Sequence, residues 1–405
     1  MSNRFALVGL GLMTGLSATS VSVLAQSADK SNLNGQINTI TTAVPFLRIS
    51  PDARSGAMGD VGVAISPDAN AQYWNVAKIP FAAKKFGASA TYTPWLKDLV
   101  PDISLIYVSG FARFGENNEQ AISGSLRYFS LGDINYTDIN ANPIGTGKPR
   151  EFSLDLGYSR RLSEYLSTGL SLRYIHSAIA TGLAGTQQGV DYRPGNAFAT
   201  DLGIYYAKKT ELDDFRNNTF SFGAVISNLG SRISYNSLRR DFLPANLGIG
   251  AAYTSQFDEY NKMTFALDLN KLLVPTPQLD TGSTAGGQPV YKYPDKPVVS
   301  GLLGSFGDAP GGFSEEMREI QISAGLEYWY QDQFAVRAGY FYEDKTKGDR
   351  KYFTCGVGVR YKVFNLNVAY LVPSGSGINR NPLSNTLRFS LVFDFDTIEK
   401  DEAGQ

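Results

Sequence analysis

The sequence carries a single cysteine, Cys355, and a single histidine, His176. One cysteine excludes an internal disulfide, and so little thiol and imidazole excludes a zinc-type ligand cluster. It also removes most nucleophile and acid–base arrangements that depend on imidazole. An excess of either charge is missing as well: 37 Lys and Arg stand against 38 Asp and Glu. That balance argues against a nucleic-acid partner and against an acidic disordered tail. After Gln26 no run of 18 uncharged apolar residues occurs, which excludes membrane-spanning helices. Glycine (41) and aromatics (24 Phe, 23 Tyr, 3 Trp) are plentiful instead, a mix unlike that of an average soluble domain. This composition argues against an enzyme and calls for no cofactor.

The first 25 residues read as a secretory signal. Arg4 supplies a positive start, Phe5 to Leu24 is uncharged, and Val23-Leu24-Ala25 suits cleavage before Gln26. The mature chain is therefore expected to be exported.

Beyond residue 85 the dominant pattern is alternation of period two. Phe152, Leu154, Leu156 and Tyr158 alternate with Ser153, Asp155, Gly157 and Ser159. Leu387, Phe389, Leu391, Phe393 and Phe395 alternate with residues that include Arg388, Ser390 and Asp394. Successive strand side chains point to opposite faces, so each segment has one apolar and one polar wall. About fourteen such segments occur, near 86–94, 103–114, 119–130, 151–162, 166–178, 197–209, 219–229, 245–256, 261–271, 319–330, 333–343, 351–362, 364–373 and 386–396. They are longer than most soluble strands and right for a tilted bilayer crossing. Tyrosines gather near their ends, among them Tyr92, Tyr128, Tyr206, Tyr330 and Tyr361, as an interfacial girdle requires. Links after even-numbered strands are tight, and those after odd-numbered strands are mostly long. The expected fold is all-β: a transmembrane antiparallel β-barrel over 86–396, followed by a C-terminal tail at 397–405. An even-stranded barrel of this kind has periplasmic termini and extracellular long loops.

With the apolar parity on lipid, the interior carries Arg127, Asp155, Arg173, Asp201, Asp268, Glu327, Arg337, Arg360 and Arg388. An arginine or lysine on the lipid face would cost about 2–4 kcal/mol at the midplane, so the consistent inward parity supports the assignment. Cys355 and His176 fall on the lipid parity, where a small hydrophobe and a girdle residue are the expected roles. The segment ahead of the first strand, 45–80, is rich in Gly, Ala and Asp and is interrupted by Pro51 and Pro67. It is too poor in apolar bulk to form its own core. Its small residues and its charges Arg54, Asp60 and Asp68 suit a plug inside the barrel, so residues 26–85 read as an N-terminal periplasmic arm and hatch.

The stretch Arg54-Ser-Gly-Ala-Met-Gly-Asp-Val-Gly-Val-Ala, followed by Asp68-Ala-Asn-Ala-Gln-Tyr-Trp-Asn, resembles the N-terminal hatch motif of FadL-like outer-membrane proteins. With Phe46-Leu-Arg-Ile-Ser-Pro-Asp-Ala-Arg ahead of it, it is most similar to the PorV family of the type IX secretion system. The resemblance carries the hatch role onto Arg54, Gly56, Gly59, Asp60, Asp68, Trp74 and Asn75. It departs at Val76, where such sequences commonly have proline.

The resemblance implies a non-enzymatic function. Cargo bearing a C-terminal signal domain would be received at the translocon barrel protein and passed to the cell-surface sortase. The protein would also hold that sortase and other attachment-complex subunits at the lipid and lipopolysaccharide of the outer membrane. Two loops offer a surface for this: 272–318, with Val298, Val299, Leu302, Leu303, Phe306 and Phe313, and 230–244, with Phe242 and Leu243. The alternative is a FadL-like transporter of hydrophobic small molecules, which needs an apolar path that the charged interior does not offer. Enzymatic motifs are fragmentary. No Gly-x-Ser-x-Gly elbow occurs, Gly145-Thr-Gly147-Lys148 lacks phosphate-loop spacing, and Asp280-Thr-Gly282 stands without a second copy.

Overall fold

The computed structural model describes residues 37–96, 102–137, 140–179, 193–236, 239–285, 288–292, 294–372 and 385–396. The expected signal sequence (1–25) and tail (397–405) lie outside the described residues. The strands in chain order are β1 (Phe86–Pro94), β2 (Ser104–Phe114), β3 (Gln120–Ser130), β4 (Ile134–Thr137), β5 (Pro143–Gly147) and β6 (Arg150–Arg161). They continue as β7 (Leu166–Ala178), β8 (Gly195–Glu211), β9 (Asn217–Gly230), β10 (Asn246–Gln256), β11 (Asn261–Leu272) and β12 (Gln278–Ala285). The last are β13 (Gln288–Lys292), β14 (Gln321–Tyr330), β15 (Phe334–Tyr342), β16 (Lys351–Tyr361), β17 (Phe364–Leu371) and β18 (Leu387–Phe395). Fourteen of them form one closed antiparallel barrel. Closure is made by β1 against β18, with Phe86 opposite Phe395 and Tyr92 opposite Phe389. A closed sheet satisfies every inner backbone group between strands, which is what an apolar surrounding demands.

The period-two reading translates directly into wall faces. Leu154, Leu156 and Tyr158 are exposed outward, while Ser153, Asp155 and Ser159 between them are buried inward. The remaining four strands fold the long links instead: β4 pairs with β5 and β12 with β13. Two short helices, α1 (Val298–Gly304) and α2 (Phe313–Arg318), complete the link between β11 and β14. These pieces are too short and too rich in Gly and Pro for periodicity to reveal them.

Residues 38–85 run through the lumen, and their direction differs from the expected placement of both chain ends at one rim. Val44, Phe46 and Leu47 pack with Phe129, Ile175, Ile233 and Leu243, all at the long-link rim. Asn38 donates its backbone N–H to Thr346 in the β15–β16 link. The segment leaves at the other rim, where Lys84 pairs with Asp396 just beyond β18. An even strand number fixes only the start of β1 and the end of β18 on one side. The luminal passage carries the described N-terminal end to the opposite side.

Candidate functional site

The luminal segment meets the wall through polar side chains whose partners are far away in sequence. Asp52 caps the single turn Ala53–Gly56 by accepting from Ser55 N at 2.8 Å, and its other oxygen accepts from Trp74 Nε1 at 2.7 Å. The cap directs Arg54 at β14. Its guanidinium donates in bidentate fashion to Glu327, at 2.9 and 2.8 Å, and also reaches Asp68 (3.2 Å) and the carbonyl of Ser66 (2.9 Å). Glu327 accepts from a second guanidinium, Arg337 Nε, at 2.7 Å. Arg337 also bonds Asn367 at 2.9 Å and lies 5.3 Å from the centroid of the Trp329 ring. One carboxylate thus holds two buried cations, the planar fork–carboxylate match being why arginine fills both places.

A second set fixes the middle of the segment. Asp60 accepts from Arg388 (3.1 Å) and from the Tyr352 hydroxyl (2.6 Å). Asp268 on β11 accepts the backbone N–H groups of Gly62 (2.7 Å) and Val63 (2.8 Å). Gly59 has φ +70, and a Cβ there would lie 2.6 Å from the Tyr340 backbone. From the wall side, a Cβ on Gly339 would come 2.0 Å from Gly59 N. Glycine on both partners lets backbone touch backbone. Gly56 instead leaves room for the Arg388 side chain.

Asn75 ends the Ala71–Trp74 turn and caps the next, Val76–Phe81, by accepting from Ala77 N at 3.1 Å. Its amide donates to Ile204 O at 2.9 Å. The cap starts this turn without the proline usual at 76, and Val76 packs at Gly157 and Gly169 instead. Lys78, 2% exposed, donates to the Gly62 carbonyl.

All seven residues of the sequence motif therefore lie in the lumen, and five of them, Arg54, Asp60, Asp68, Trp74 and Asn75, make the polar contacts just described. Trp74 bonds Asp52, and Gly56 and Gly59 admit close neighbours. Residues missing from the expected hatch set include Gln72, which lies within the motif and bonds Ser171 at 2.8 Å, and Lys78. Asp52 had a legible signal as an N-cap ahead of a small-residue turn. On the wall, Arg173 pairs with Asp155 and with Asp201 (2.9 Å). Arg127 donates to Leu47 O at 2.9 Å and lies over Tyr73, 4.3 Å from the ring centroid. Arg360 is half-buried, 4.5 Å from the Trp329 ring. Among the described residues no group of His, Cys, Asp or Glu could hold a metal ion.

At the long-link rim, α2 stands on a charged base. Lys347 pairs with Glu315 (2.6 Å) and Glu319 (3.0 Å), and Lys271 pairs with Glu316 (2.9 Å) and Glu319 (2.5 Å). Phe313 and Met317 of α2 are exposed, Phe313 to 77%, as are Val299 and Leu303 of α1 and Phe306 between the helices. Leu302 and Phe242 are half-buried, and Phe242 packs beneath Gly301 of α1 and against Arg232. Leu243 differs from its expected place on a binding surface. It is 3% exposed and packs with Val44 and Leu47, because the luminal segment fills the mouth at that point.

Residues 32–279 match the family of the type IX secretion system protein PorV. The chain belongs to that family. As a PorV-family barrel with an apolar outer wall, it is an outer-membrane protein. No curated protein matches it in sequence. Among solved structures, the Ralstonia pickettii toluene transporter TbuX is 11% identical with TM-score 0.49, over 86% of this chain and 98% of that one. The P. putida toluene transporter TodX is 13% identical with TM-score 0.48, over 86% and 99%. A Pseudomonas aeruginosa FadL homologue is 11% identical with TM-score 0.40, over 88% and 99%.

Proposed function

We propose that this PorV-family barrel receives cargo carrying a C-terminal signal domain as it leaves the type IX translocon. It passes that cargo to the cell-surface sortase and helps hold the attachment complex at the outer membrane. The long links face the cell exterior in this reading, and the luminal segment is the hatch that keeps the barrel shut. The observation that carries it, beside family membership, is the mount built by α1 and α2. Its apolar side chains are exposed on α1 and α2, α2 being fixed by buried and half-buried ion pairs and α1 by the packing of Gly301 on Phe242. Exposed apolar groups on a rigid support are what a protein partner buries.

Replacing residues 298–313 with a Gly/Ser linker tests the reading. The barrel is expected to fold and insert, shown by unchanged heat-modifiable migration, while type IX cargo accumulates with its signal domain uncleaved. Normal processing and surface attachment in that strain would overturn the role of the loop. Transport of hydrophobic small molecules calls for an apolar path, whereas the lumen is lined by paired arginines and carboxylates.

A further inference from the structure

The N-terminal arm, residues 37–44, lies on the face where α1 and α2 stand. Asn38 joins two separate links through three hydrogen bonds. Its N–H donates to Thr346 O at 3.0 Å, and its amide donates to Pro277 O at 3.0 Å and to Glu315 Oε1 at 3.2 Å. Glu315 belongs to α2 and is also held by Lys347. Five residues on, Ala43 N donates to Phe242 O at 3.0 Å, so the arm crosses the mouth from the β15–β16 link to the β9–β10 link. Ile37 remains 48% exposed at its outer end. Inward from the arm, the chain passes Arg54 and Asn75 and reaches the far rim. There Arg113 donates to the Ala82 carbonyl, and β1 begins beside the end of β18.

We infer that the segment 37–44 is a surface-displayed strap that spans the barrel mouth and clamps α2. The described N-terminal end then lies on the partner-docking side, opposite the end of β18. A protein that lands on α1 and α2 meets this arm as part of the same surface, and the arm continues without a break into the hatch. That this rim is the cell exterior rests on the proposed function; that the arm shares the rim of the long links does not.

Single cysteines in a Cys355→Ser background test the placement. Ile37→Cys reports the arm, Ser300→Cys the α1 face and Glu116→Cys the short turn between β2 and β3. A membrane-impermeant maleimide applied to intact cells is expected to label Ile37→Cys as fully as Ser300→Cys, with Glu116→Cys labelled only after permeabilisation. Protection of Ile37→Cys together with Glu116→Cys, while Ser300→Cys reacts, overturns the inference. Labelling of Glu116→Cys alone in intact cells overturns the orientation in the proposed function and leaves the arm with the loops. The strap itself is read by hydrogen exchange. Asn38→Ala is expected to speed exchange across 313–319 with the barrel strands unchanged. Exchange identical to the parent there overturns the clamp.

Discussion

Neutralising Glu327 strikes a carboxylate that a hatch arginine and a wall arginine share. Glu327 is 2% exposed and compensates both Arg54 and Arg337. Glu327→Gln keeps the shape and removes the charge. Arg54 retains Asp68 and the Ser66 carbonyl, but Arg337 keeps only the neutral Asn367 and the face of Trp329. Breaking a buried pair by removing one partner costs about 3–5 kcal/mol, because a cation is left uncompensated in low dielectric. At about 1.4 kcal/mol per decade, the equilibrium between docked and released hatch shifts by roughly two to three and a half decades. Purified protein in planar bilayers is the assay: the parent is expected to be closed, and Glu327→Gln to show frequent openings. The double variant Glu327→Met/Arg337→Met removes the stranded cation with the carboxylate and is expected to recover part of the loss. A Glu327→Gln barrel as closed as the parent, with an unchanged melting midpoint in detergent, would refute the reasoning.

Other expectations follow from the same contacts. Gly339→Ala places a methyl within 2.0 Å of Gly59 N, where neither backbone has room to move; calorimetry in detergent should show destabilisation of about 1–3 kcal/mol. Gly307→Ala, with nothing within 4 Å, should melt like the parent. Cys355 is exposed on the lipid-facing side of β16, so a lipid-soluble maleimide should label it in vesicles while an impermeant one leaves it unmodified.

The strands were legible from sequence because their cause is local. Alternation along one segment decides which face meets lipid, and the antiparallel closed pairing then follows from neighbours in the chain. The inward parity of Asp155, Arg173, Glu327 and Arg388 came from that same period. The motif around Arg54 marked the right segment through family resemblance, while the Asp52 cap beside it came only from the structure. The choice of partners was not readable. Arg54 and Glu327 are 273 positions apart, and nothing in either neighbourhood encodes the other. Only the closed barrel, threaded by its own chain, brings them together. The same threading buried Leu243, which looks exposed in its loop, and carried Asn38 to the rim opposite Phe395. Strand number sets where the wall begins and ends, while the course of the segment inside depends on side-chain fit summed over the whole lumen.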